Sequence, residues 1–87
     1  MTESDSIVRA RVLQVLSAVA PEAQTGRLEE AEPFRNQFAF DSVDFLNFAI
    51  KLQQEFGLSI PEDDFPLLAT LRGCVEYISV RCAPFRP

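Results

Sequence analysis

Phe38-Ala39-Phe40-Asp41-Ser42-Val43-Asp44-Phe45-Leu46 is the stretch on which the rest of the chain turns. An aspartate and a serine open a long apolar run there. Asp41 has N-cap chemistry, because its carboxylate can accept hydrogen bonds from the free backbone N–H groups of a first helical turn. Asp44 stands three residues on, where a capping box places an acid. That makes Ser42 the first helical residue, with its hydroxyl directed outward. The start of a helix favours negative charge, since its N–H groups and its dipole point that way. A serine in that position is well placed to carry a phosphodiester.

Downstream, the spacing predicts a helix from Ser42 to Glu55 or Phe56, with Gly57 ending it. Phe45, Phe48, Ala49, Leu52 and Phe56 recur at helical spacing and are expected to face the core. Val43, Leu46 and Ile50 fall on a second face, beside Asn47 and Gln54. The helix is therefore more apolar than one buried stripe needs. Either the second face packs on the long loop that precedes the helix, or it is an exposed patch that binds a partner. Phe40, just before the cap, is a core residue by type. Its alternative is a place beside Ser42, in contact with partners.

Upstream, Ile7, Val8, Val12, Val15, Leu16 and Val19 mark an amphipathic helix over about Ser6–Ala20, which Pro21 stops. Residues 21–40 form a long connection with Gly26, Pro33 and the acids Glu29, Glu30 and Glu32. So long a loop is unusual in a small domain. Leu28, Phe34 and Phe38 are the candidates to pin it, and the acids read as solvated surface.

After the central helix, Ser59-Ile60-Pro61-Glu62-Asp63-Asp64-Phe65 reads as a helix start with acids in its first turn. Pro66 is expected to cut it to one turn, of 3₁₀ type. Thr70 can cap a last helix to about Arg81, with Leu71, Cys74, Val75 and Ile78 inward. Gly73 weakens that helix by roughly 1 kcal/mol relative to Ala. Met1–Asp5 reads as frayed, and Pro84 and Pro87 leave the C-terminus outside the fold. The expected fold is all-α: a small up-down four-helix bundle, three longer helices and one short, with a long loop between helices one and two. Eighty-seven residues fit a single domain, 1–87, with an ordered core over about 6–81.

Eight Lys and Arg against thirteen Asp and Glu give a net charge of −5. That disfavours nucleic acid and anionic membranes and favours basic protein surfaces. No apolar run is long enough to span a bilayer, and Met1 leads into polar residues rather than a signal peptide. A cytoplasmic chain is expected, with Cys74 and Cys82 as free thiols.

Catalytic chemistry finds little support. The chain has no His, so the commonest general base and metal ligand are missing. Cys74 lies in an apolar stripe without a basic neighbour and reads as inert core. Asp41, Asp44 and Asn47 lack the spacing and turn glycine of a calcium loop. Asp63 and Asp64 are adjacent on a helix and diverge. No metal site and no enzyme in its own right is expected.

Asp41-Ser42-Val43, then Leu46, then Glu55-Phe56-Gly57-Leu58-Ser59-Ile60-Pro61, resembles the acyl carrier protein family, over roughly Ile7–Ser79. Departures are Ala39, where the family usually has Gly, and Val43, where Leu is usual. The resemblance implies that Ser42 bears a covalent 4'-phosphopantetheine arm donated by coenzyme A, with Asp41 beside it. The arm's thiol would hold an acyl or amino acid as a thioester. A monomeric carrier of this kind serves a phosphopantetheinyl transferase, a loading ligase and acyl-transferring enzymes of fatty acid, polyketide or specialised biosynthesis. The implied docking residues are Phe40, Val43, Asp44, Leu46, Asn47 and Ile50. Lys51, Gln53 and Gln54 stand where fatty-acid carriers are richer in acids, which points to a specialised pathway. Asp41, Asp44, Glu62, Asp63 and Asp64 are expected to give the arm's end a negative field that speeds association with a basic transferase. The alternative is a non-catalytic helical interaction domain that binds a partner through the apolar face of helix two.

Overall fold

A computed structural model describes residues 3–23 and 25–81. Three α-helices carry the fold: α1 Glu3–Val19, α2 Ser42–Phe56 and α3 Leu71–Arg81. A seven-residue 3₁₀ helix, Glu62–Leu68, is the short fourth element. Two one-turn 3₁₀ helices, Thr25–Arg27 and Phe34–Asn36, lie in the long α1–α2 connection. Among the described residues there is no strand, only an isolated bridge between Pro33 and Thr70. The all-α, four-helix expectation holds.

The core is where the periodicity puts it. Val8, Val12, Val15 and Leu16 of α1 meet Phe48, Ala49 and Leu52 of α2 and Leu71, Cys74, Val75 and Ile78 of α3, all of them buried. The predicted core face of α2 thins at its ends, where Phe45 and Phe56 are only half-buried. Tyr77, absent from the predicted face of α3, is buried as well.

Helix α1 begins three residues earlier than predicted, so Glu3–Asp5 is helical rather than frayed. Acids are favoured at that end by the helix dipole, and Asp5 also accepts a 2.8 Å hydrogen bond from the Ser79 hydroxyl on α3. Pro66 does not end its helix after one turn. Its fixed φ suits a 3₁₀ segment. Buried Leu68, just beyond it, holds the second turn to the core.

Gly73 has a packing reason. A Cβ there would overlap the Leu67 carbonyl oxygen and come within 3.0 Å of Thr70 Oγ1. The absent side chain lets α3 lie against the 3₁₀ helix, a close approach that helix propensity alone does not register. Gly57 is the other glycine with a conformational task. It ends α2 at φ 63°, in the left-handed region.

The long loop is ordered by its own contacts. Phe34 is buried, and Leu28 and Phe38 pack against the core. The Gln37 carboxamide accepts from Glu29 N and donates to Glu29 O and Glu32 O, replacing regular secondary structure. Phe34 N donates to Ala69 O and Arg72 N donates to Glu30 O, both at 2.9 Å. Glu29 and Glu32 are solvated as expected, but Glu30 is half-buried. Its carboxylate accepts from Arg9 of α1 at 3.2 Å.

Candidate functional site

The start of α2 is fixed as the residue types require. Asp41 is the N-cap, in extended geometry, and its carboxylate accepts from Asp44 N at 2.9 Å. Asp44 reciprocates by accepting from Asp41 N at 3.4 Å, which completes the capping box. Ser42 is the first residue of the helix and is exposed. Its hydroxyl makes no hydrogen bond among the described residues. The serine is thus spared from capping, and its oxygen is open to a reagent.

Beside it lies an open groove of about 700 Å³. Its walls are the turn at Phe34–Asn36, the first turns of α2 and the 3₁₀ helix Glu62–Leu68. Phe34, Phe40, Phe45 and Phe65 are its aromatic members, buried or half-buried, while Arg35, Asp41, Ser42, Leu46 and Glu62 are exposed along it. The rings form one continuous cluster. Phe40 sits edge-to-face with Phe34, Phe38, Phe45 and Phe48 at centroid distances of 5.3–6.2 Å. Phe45 meets Phe65 at 6.2 Å, joining α2 to the 3₁₀ helix. Such edge-to-face pairs add about 0.5–1.5 kcal/mol each beyond burial. Phe40 therefore fits both alternatives drawn from sequence: it packs on the core and also lines the groove beside Ser42.

The second apolar face of α2 does not pack on the loop. Val43, Leu46 and Ile50 are 65%, 47% and 42% exposed, and Asn47 beside them is exposed too. Gln53, by contrast, is structural. Its Nε2 donates to Ala49 O, and its Oε1 accepts from Ile60 N at 3.1 Å, holding the chain that leaves α2.

The acids distribute less simply than their sequence positions suggest. Asp41 and Glu62 line the groove. Asp64 turns to α3, where it accepts from the Tyr77 hydroxyl at 2.7 Å and from Arg81 at 3.4 Å. Arg81 in turn lies over the Tyr77 ring. Loss of hydration, then the bond to Asp64, raises the Tyr77 phenol above its ordinary pKa. Asp64 does not line the groove, and Arg81 offsets its charge. Sequence reasoning missed Arg35 and Phe65 as groove residues. Phe34, flagged as a pin for the loop, was the available signal for the first, because pinning Phe34 sets its neighbour Arg35 at the groove.

An exposed, unbonded hydroxyl beside an open apolar groove suits the attachment of a long, partly apolar arm. Residues 5–78 match the model of a family described as the phosphopantetheine attachment site. The chain belongs to this family. Its cofactor is 4'-phosphopantetheine, and its acyl carrier members are carriers that serve partner enzymes, not catalysts. The chain is 42% identical over 45 residues to an acyl carrier protein of Lactobacillus johnsonii, covering 52% of this chain and 56% of that one. It is 33% identical over 57 residues to an acyl carrier protein of Lactobacillus acidophilus, covering 66% and 71%. A mitochondrial acyl carrier protein of Neurospora crassa is 30% identical over 71 residues, covering 82% and 53%. The chain thus spans between about half and seven tenths of these relatives' lengths. Among the described residues no helix is long and apolar enough to cross a membrane.

Proposed function

We propose that the chain is a single acyl carrier domain in which Ser42 bears the 4'-phosphopantetheine arm. The observation that carries this reading is the free Ser42 hydroxyl at the first residue of a helix already capped by Asp41 and Asp44. In the loading step the Ser42 oxygen forms a bond to the pantetheine-side phosphorus of coenzyme A, the phosphoanhydride bond breaks, and adenosine 3',5'-bisphosphate leaves. The serine proton passes to a base on the transferase, because no group among the described residues accepts a hydrogen bond from the Ser42 hydroxyl. The bound arm supplies a terminal thiol that holds a carboxylic acid as a thioester.

The protein's own part is to fix the attachment point and to present a recognition face. Capping box and aromatic cluster hold the α2 terminus in place. The exposed Val43, Leu46 and Ile50, with Asn47, Asp44 and Phe40 nearby, form the face for the transferase, a loading ligase and acyl-transferring enzymes. A tethered cargo meets each enzyme at high effective concentration. The carrier acts as a cytoplasmic monomer, and the buried free thiol of Cys74 is in keeping with a reducing compartment. Exposed Lys51 and Gln54 on α2 favour a specialised pathway over general fatty acid synthesis.

The test is the intact mass after co-expression with a phosphopantetheinyl transferase. The wild-type chain gains one phosphopantetheinyl group, and Ser42→Ala gains none. An unmodified wild-type chain whose α2 face still binds a protein partner would instead favour a plain interaction domain.

A further inference from the structure

Attachment of a phosphodiester places an anion in an acidic neighbourhood. The chain carries a net charge of −5, and Asp41 and Glu62 line the same groove as Ser42. One described basic residue lines that groove, Arg35. Its guanidinium is exposed and makes no ion pair among the described residues. Three other arginines form ion pairs elsewhere, Arg9 with Glu30, Arg11 with Glu55 and Arg81 with Asp64.

Arg35 is also held in place. It follows Phe34, which is buried and packs edge-to-face, 5.7 Å away, with Phe40, two residues before Ser42. The backbone of Phe34 is tied to Ala69, at the end of the 3₁₀ helix. The side chain therefore projects from a fixed base on the wall beside Ser42. A guanidinium offers a planar fork of donors that matches two phosphate oxygens at once.

We propose that Arg35 is a positioning residue that binds the phosphodiester of the arm on Ser42 and directs the arm into the Phe40–Phe45–Phe65 groove. The proposal rests on Ser42 as the attachment site. It assigns the arm a preferred path across the loop side of α2, past Leu46 at the groove edge, leaving Val43 and Ile50 free for partners. Glu62 lines the same groove and repels the phosphodiester, so the contact is reversible and the arm can leave for an enzyme.

The test uses the isolated protein with the arm but no cargo. The Arg35 Nε–Hε resonance should shift between apo and holo forms, and the shift should shrink as salt rises from about 20 mM to about 0.5 M. The phosphorus-31 resonance should move in Arg35→Gln, with narrower lines from the arm. Arg35→Lys should restore part of the effect, and Glu62→Gln should enlarge it. Circular dichroism checks that the variants fold, as an exposed, unpaired side chain predicts. An Arg35 signal identical in apo and holo forms, with the same phosphorus resonance in wild type and Arg35→Gln, would overturn the proposal. So would a shift that appears only after a carboxylate-bearing cargo is loaded. A wild-type chain that gains no mass would overturn the assignment of Ser42 itself, a result distinct from either.

Discussion

Gly73→Ala separates two physical accounts of α3. Helix propensity alone predicts a gain of about 1 kcal/mol, since Ala is the better helix former. The packing predicts a loss. The new Cβ would overlap the Leu67 carbonyl oxygen, a backbone atom in the 3₁₀ helix, and press on Thr70 Oγ1. Leu67 is followed by buried Leu68, so its carbonyl cannot turn aside without unseating core. Helix α3 must lift instead. Forced overpacking of this kind costs about 1–3 kcal/mol. It also strains the cap in which Thr70 Oγ1 accepts from Gly73 N at 2.9 Å, and a lost cap costs about 0.5–2 kcal/mol. Against the propensity gain, the net expectation is a loss of about 0.5–4 kcal/mol. For a domain of this size each 1 kcal/mol lowers the melting temperature by about 4–8 °C. Urea unfolding followed by helical circular dichroism measures it, with an unchanged m-value marking a change of stability alone. A Gly73→Ala midpoint at or above wild type would refute the packing argument.

Three further outcomes are expected. Asp41→Ala should cost about 0.5–2 kcal/mol through the lost capping box, whereas Ser42→Ala should stay within about 0.5 kcal/mol; equal losses on thermal melting would mean that the serine shares the capping. Phe40→Ala should lose about 2 kcal/mol, less than the ~3–5 typical of a fully buried ring, and unchanged melting would show that the aromatic cluster does not support the α2 terminus. Above about pH 9 stability should fall. Burial raises the Cys74 thiol, and burial then the Asp64 bond raise the Tyr77 phenol, so each group keeps its proton longer when folded. Their contributions are complete below the unfolded-state pKa values and are lost as pH rises through the folded ones. Tyr77→Phe should flatten this fall while lowering neutral-pH stability by about 1 kcal/mol. Tyr77 is the sole tyrosine, so phenolate absorbance reports its ionisation directly, and a midpoint at the free phenol value would contradict its burial and its bond to Asp64.

The helices and the cap were legible because they depend on local rules. Asp41 and Asp44 specify the box three residues apart, Gly57 stops α2, and apolar spacing picks out Val8, Val12, Phe48, Leu52, Leu71 and Ile78. What was not legible depends on distant neighbours. Asp64 pairing with Tyr77, Gly73 facing Leu67, and Arg35 sharing a groove with Ser42 are set by how elements stack. Gln53 read only as a departure from acid-rich fatty-acid carriers, because nothing local shows that the chain returns to offer it the Ile60 N–H.

The ties between the long loop and the start of α3 bear on the order in which the molecule assembles. Helices α1, α2 and α3 close within a few residues, but Phe34 must find Ala69, and Glu30 must find Arg72. Closing loops of that span carries an entropy cost that grows with the logarithm of length, and the helices must already be near one another to offset it. The wall that bears Arg35 is therefore expected to dock late in folding and to open early. Amide exchange at Phe34 and Arg72 should be correlated, at an opening free energy below that of the α1–α2 core. An attachment helix that forms first and a groove wall that closes last would let a transferase meet Ser42 while the groove beside it is still breathing.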